Sequence, residues 1–217
     1  VSSITTGIEF EQSMANVKAI SGATGEEFQQ LTDFARELGA TTMMSASESA
    51  DAMSFLAMAG WETSEIMAGL PAILDLTIAS GSEFATVADI VSDNLTAFGM
   101  EASDTGRYTD ALAYAMSNAN VNMDTLGESL KYIAPVASSA GFSMEETVSA
   151  VMALGDAGIK GSQAGTTLRS VLTRLADPPK AAAQAIQTLG ISMTDAYGNS
   201  LSLIDMLKQL RTKFQNV

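Results

Sequence analysis

Ser45 to Leu76 reads SASESADAMSFLAMAGWETSEIMAGLPAILDL, and Ala157 to Leu175 reads AGIKGSQAGTTLRSVLTRL. The two stretches follow one plan once the run-up from Ser143 is included. A Ser is followed three residues later by an acid, then by an apolar helical face, Ala-Gly, one large apolar residue and a second apolar helix. A shift of 98 residues superimposes them. Ser45 meets Ser143, Glu48 meets Glu146, Ala52 meets Ala150, and Leu56 meets Leu154. Ala59-Gly60 meets Ala157-Gly158, Trp61 meets Ile159, Leu70 meets Leu168, Ile73 meets Val171, and Leu74 meets Leu172. A helix–Gly–helix unit that recurs at fixed spacing is a statement about architecture before chemistry.

Working outward, Ser45 with Glu48, Ser143 with Glu146, and Thr24 with Glu27 all have the spacing of a capping box. In it the hydroxyl and the acid satisfy each other's orphan amides. Gly39, Gly60, Gly81 and Gly99 each follow a helix-period pattern, where a glycine in the left-handed region ends a helix. These signals predict helices at about 8–20, 25–38, 46–59, 63–80, 83–98, 104–118, 123–139, 144–157, 161–176, 179–189 and 202–215. Pro71 and Pro135 fall inside two of them and should kink or restart each helix, because proline lacks the amide and crowds the preceding turn. Asp177-Pro178-Pro179 reads as a hinge. Ile191 to Leu203, ISMTDAYGNSLSL, alternates apolar and polar around Tyr197-Gly198-Asn199 and predicts a small β-hairpin. No run keeps an a/d repeat over three heptads, so a coiled coil is not expected. The expected fold is mostly α, a compact array of short helices with Gly-capped corners and one small hairpin near the C-terminus. Residues 1–176 form the repeat-bearing core, and residues 177–217 pack on it or lead onward.

Composition narrows the function. Apolar residues make up 47% of 217, which suits a folded chain. Aromatics are 6% while Met reaches 13, so small and flexible side chains fill the core. There is no Cys and no His. Thiolate chemistry, Cys or His metal sites and a Ser-His-acid triad are therefore excluded within this segment. Residues 1–100 hold 14 acids and two bases, whereas 101–217 hold 11 acids and nine bases. So acidic a first half disfavours grip on a phosphate backbone. The start, VSSITTGIEFEQ, lacks a signal peptide's basic and apolar regions, and lacks Met, as expected of a piece of a longer chain. The longest uncharged run, Ala181 to Thr194, is 14 residues and contains Gly190, short of the ~20 a spanning helix needs.

Several residues invite sharper readings. Glu26-Glu27 and Glu145-Glu146 are paired carboxylates, but both pairs open a predicted helix, where acids complement the macrodipole. Gly158, Gly161 and Gly165 followed by Thr166-Thr167 suggest a phosphate loop. That loop needs Gly-Lys-Ser/Thr after a strand, whereas here Lys160 precedes Gly161 and a helix comes before it, so a helix–turn–helix corner fits better. Lys160, Arg169, Arg174 and Lys180 form the one basic cluster, a solvated face or a contact for an acidic partner. Trp61 reads as a plug between two helices, with an interface anchor as the alternative. Met53 and Met67 are expected in the core. Met43-Met44, between two caps, is the better candidate for a partner contact, with Met58 also in the Met-rich set. No catalytic, cofactor or metal residue is expected.

The strings AMAGW (57–61), YIAPVA (132–137) and AGIKGSQAGTTLRS (157–170) carry a further signal. So does Phe10 to Gly39, FEQSMANVKAISGATGEEFQQLTDFARELG. Together with Ser92–Ala102 and Met116–Val136, they make the chain resemble the core region of phage and prophage tail tape measure proteins over nearly its whole length. The resemblance implies a structural module of the phage tail, acting in tail assembly, tail-length determination and DNA ejection. It implies residence in the virion tail, or in the bacterial cytoplasm during assembly. It also implies tail tube subunits, assembly chaperones and tail tip or baseplate proteins as partners, with several copies per tail. It implies neither a catalytic residue nor sequence-specific nucleic-acid binding. A tail-associated peptidoglycan hydrolase and a membrane-active ejection segment are the alternatives. A glycosidase needs only two carboxylates. Against it stand the capping positions of the acid pairs, and against transient membrane contact stands the chain's acidity.

Overall fold

Apolar side chains at i, i+3/i+4 and i+7 organise the helices of this computed structural model, which describes residues 2–192, 194 and 201–214. In chain order these are α1 (Ser2–Ser21), α2 (Glu26–Thr41), α3 (Ala46–Met58), α4 (Thr63–Ser80) and α5 (Phe84–Phe98). A 3₁₀ turn at Ala102–Asp104 leads into α6 (Thr105–Asn118), followed by α7 (Met123–Ser139) and α8 (Met144–Asp156). The chain continues through α9 (Gly161–Ala176), α10 (Lys180–Thr188) and α11 (Leu203–Phe214). The fold is mostly α. The expected hairpin turn around Tyr197-Gly198-Asn199 lies outside the described residues.

The 98-residue relation extends beyond the two stretches that reveal it. Adding 98 to the bounds of α3 gives those of α8, and the starts of α4 and α9 differ by the same amount. The burial phase carries over as well. Met14 and Val17 of α1 correspond to Leu112 and Ala115 of α6, and all four are buried. Tyr108 of α6 corresponds to Met206 of α11, again both buried.

The chain divides into two compact units. The first comprises residues 1–95 and 100–110. In it α3 lies against α1 and α2, α4 lies against α3, and the 3₁₀ turn rests on α4. Its core holds Leu31, Met53, Leu56, Ile66, Leu70 and Ile73, all fully buried. Phe55 and Phe84 meet edge to face at 5.9 Å between centroids. The second unit comprises residues 96–99 and 111–217. There α7 packs chiefly on α9 and also on α8. Leu126, Leu130 and Ile133 on α7 face the same core as Val151, Ala164 and Leu172.

Ser45 and Ser143 cap α3 and α8 as their spacing predicts. Glu48 N donates to Ser45 Oγ at 3.2 Å, and Ser45 N donates to Glu48 Oε2 at 2.7 Å. Glu146 N donates to Ser143 Oγ at 3.2 Å, and Ser143 N donates to Glu146 Oε2 at 3.1 Å. The box expected at Thr24 does not form. Gly25, at φ +56°, is the residue next to the helix, and no side chain caps α2. One intervening glycine puts Thr24 a residue too far back.

Gly39 also departs from expectation. It lies inside α2, and a Cβ there would stand 2.5 Å from Ala46 N and 2.9 Å from Ala46 Cα. It is glycine because the start of α3 passes against it. The helix ends instead at Thr42, whose N and Oγ1 both donate to Leu38 O, at 2.9 and 2.7 Å. Pro71 and Pro135 sit inside α4 and α7, and neither helix restarts there. Each proline removes one intrahelical donor, but packing on the flanking turns keeps the helix going.

Candidate functional site

The acid pairs are parts of helix starts. Glu26 and Glu27 occupy the first turn of α2, and Glu145 and Glu146 that of α8. Glu146 is committed to the Ser143 cap. The counterpart acid, Glu48, is held below the usual carboxylate range by hydrogen bonds from the Ser45 backbone and side chain. A carboxylate tuned that way is a cap, since a general acid needs its pKa raised.

The Gly158–Gly165 segment is a corner between two helices. Gly158 takes φ +84° after α8, Lys160 is the residue preceding α9, and Gly161 opens α9. Gly165 lies within α9, where a Cβ would collide with Ser129 O and stand 2.9 Å from Tyr132 Cβ. Ser129 Oγ in turn donates to Gly161 O at 2.9 Å. These glycines let α7 and α9 touch backbone to backbone, and the element before them is a helix. Thr166-Thr167 continue that helix.

The basic residues Arg169, Arg174 and Lys180 are exposed, and Lys160 is half-buried. Among the described residues no ion pair uses them. Trp61 is half-buried at the first unit's corner. Its N donates to Leu56 O at 3.1 Å, and its ring covers Gly69 so closely that a Cβ on Gly69 would strike it. Thr105 Oγ1 closes the same spot at 2.9 Å from that Cβ position. Trp61 is thus a plug that a glycine makes room for.

Of the methionines, Met53 is fully buried and Met67 is half-buried. Met43 is 85% exposed in the bend between α2 and α3, beside half-buried Met44, and Met58 is exposed on α3.

Two features carried no sequence signal. Tyr108 is fully buried with its hydroxyl lacking a hydrogen-bond partner, and burial raises its pKa so that it stays neutral. A groove of about 660 Å³ opens between α2 and α4 of the first unit. In the second unit an apolar void of about 10 Å³ lies beneath Phe142, Leu168, Leu172 and Leu203. It is barely the size of one water, and its lining is almost wholly apolar despite Glu146 and Thr147 at its edge. Among the described residues no cluster of acids can hold a metal ion, and no helix is long and apolar enough to cross a membrane.

What the geometry offers is repeated helical packing with exposed contact points. A family model described as phage-related minor tail protein matches residues 32–217. The chain belongs to that family. It is 45% identical over 210 residues to the tape measure protein of Pneumococcus phage Dp-1, covering 97% of this chain and 18% of that protein. It is 34% identical over 211 residues to the probable tape measure protein of Escherichia phage P2, covering 96% of this chain and 26% of that protein. The chain therefore spans between 18% and 26% of the length of these relatives. No solved structure matches it.

Proposed function

We propose that this chain is a structural module of a tail tape measure protein, acting through packing and partner contact in tail assembly, length determination and genome ejection. The observation that carries the reading is near-complete coverage of this chain by a tape measure protein at 45% identity. The residue roles are consistent with it: acids serve as caps, glycines permit helix contact, and Trp61 fills a corner. On this reading the module resides in the virion tail and needs no cofactor. It works without a catalytic residue, and its partners are tube subunits, assembly chaperones, tip or baseplate proteins and further copies of itself.

The test is an in-frame deletion of this segment from the full-length gene, with tail length measured by electron microscopy and infectivity scored. Helix rises ~1.5 Å per residue, so 217 residues laid helically along the tube shorten the tail by at most about 325 Å. Shorter tails assign the segment to the ruler. Loss of tails assigns it to assembly, and normal tails without infection assign it to ejection. Full-length tails with undiminished infectivity refute the proposal.

A further inference from the structure

The internal repeat supplies its own control. In the second unit α7 and α9 close on one another through Gly165 against Ser129 O and through the Ser129–Gly161 hydrogen bond. The corresponding positions in the first unit are Met67, Leu31 and Thr63. Leucine cannot make that bond, and methionine in place of glycine keeps α4 away from α2. Between these helices an open groove remains, bordered by Ser21, Glu27, Gln30, Glu62, Ser64 and Met67.

The groove is anionic at its rim and apolar at Met67. The first unit contains 17 acids against three bases, whereas the second contains eight of each. The three bases of the first unit are engaged elsewhere. Lys18 sits over the Phe28 ring at 5.2 Å, Arg36 over Phe10 at 5.3 Å, and Arg107 lies 3.7 Å from Asp104. Among the described residues no ion pair uses Glu27 or Glu62.

We propose that this groove receives α11 of a second copy of the chain. Helix α11 buries Leu203 and Met206 and turns a different stripe outward. That stripe is Ile204 (50% exposed), Leu207 (49% exposed), Lys208 and Arg211, spaced i, i+3, i+4 and i+7 and so on one face. Within α11 three bases stand against one acid. Ile204 and Leu207 match Met67, while Lys208 and Arg211 match Glu62 and Glu27. The Lys208–Asp205 pair at 3.5 Å is exposed and gives way readily. The contact is heterologous, so each copy in a pair keeps one free groove and one free α11. A single helix in one groove is smaller than a standard interface, which makes the association weak and salt-sensitive. The inference deepens the several-copies element of the proposed function, and its failure leaves the tail assignment intact.

The test is sedimentation velocity on the 217-residue chain and two charge-reversed variants, Glu27→Lys/Glu62→Lys and Lys208→Glu/Arg211→Glu. All four side chains are exposed, so circular dichroism should show both variants folded. The wild-type chain is expected to self-associate with rising concentration near 0.01 M ionic strength and not near 1 M, a range over which the Debye length falls from ~30 to ~3 Å. Each variant alone is expected to remain a monomer. An equimolar mixture pairs the intact groove with the intact helix, and the reversed groove with the reversed helix, so it should associate to at least twice the 22.6 kDa chain mass where neither variant does alone. Three results overturn the proposal: a monomeric wild type at all concentrations in low salt, variants that associate as the wild type does, or a mixture that stays monomeric.

Discussion

Gly165→Ala tests whether α7 and α9 are held in backbone contact. On propensity alone, alanine in a helix is favoured over glycine by about 0.8–1 kcal/mol. The tertiary structure reverses the sign. The new methyl group would strike Ser129 O and stand 2.9 Å from Tyr132 Cβ. The obstructing oxygen is main chain in the middle of α7, so no rotamer change relieves the clash. The helices must separate, at about 1–3 kcal/mol for overpacking. Separation also strains the Ser129 Oγ to Gly161 O hydrogen bond at 2.9 Å, worth about 0.5–1.5 kcal/mol. The net expectation is a loss of about 1–3 kcal/mol. Gly106→Ala is the control, because Gly106 also lies in a helix but has nothing within 4 Å of its Cβ position. That substitution should stabilise by up to about 1 kcal/mol, less if the first turn of α6 dampens the propensity gain. Urea unfolding followed by far-ultraviolet circular dichroism reads both as shifts of the midpoint at unchanged slope. A Gly165→Ala protein as stable as wild type would refute the close-contact reasoning.

Further substitutions probe the remaining features. Ser45→Ala removes the α3 cap and should cost about 1 kcal/mol by urea unfolding, with Ser143→Ala similar at α8. Glu48 has a lowered pKa in the folded state, so its contribution is present above the ordinary glutamate pKa and lost as pH falls through the lower folded value. In Ser45→Ala that part of the acid-side pH dependence should shrink, and an unchanged stability–pH profile would contradict the cap assignment. Trp61→Ala leaves Gly69 uncovered and should cost about 2 kcal/mol, below the range for a fully buried ring because Trp61 is half-buried. Tyr108→Phe deletes a buried hydroxyl without a partner and should stabilise by about 1 kcal/mol, measured as a raised urea midpoint. A destabilised Tyr108→Phe protein would show that the hydroxyl is bonded.

The helices were legible because their signals are local. Ser45 and Ser143 lie three residues before an acid, and both boxes form. Gly60, Gly81 and Gly99 take positive φ where the apolar pattern stops. The same local reading misplaced Thr24, where one glycine shifts the frame, and Gly39, whose reason for being glycine is Ala46 on the next helix. Both errors share a cause, since a glycine needed for a turn and a glycine needed for contact look identical in one dimension.

The sequence by itself determined the mostly helical class, the bounds of most helices, the 98-residue repeat and the family, because each is written in residue order, spacing and local identity. Only the tertiary structure decided that α7 closes on α9 while α2 and α4 leave a groove, and that Trp61 rests on Gly69 beside Thr105. It also decided that Tyr108 is buried without a partner. Those outcomes depend on which side chain stands opposite which backbone atom, across separations of eight to more than thirty residues, and periodicity along one helix does not encode its partner.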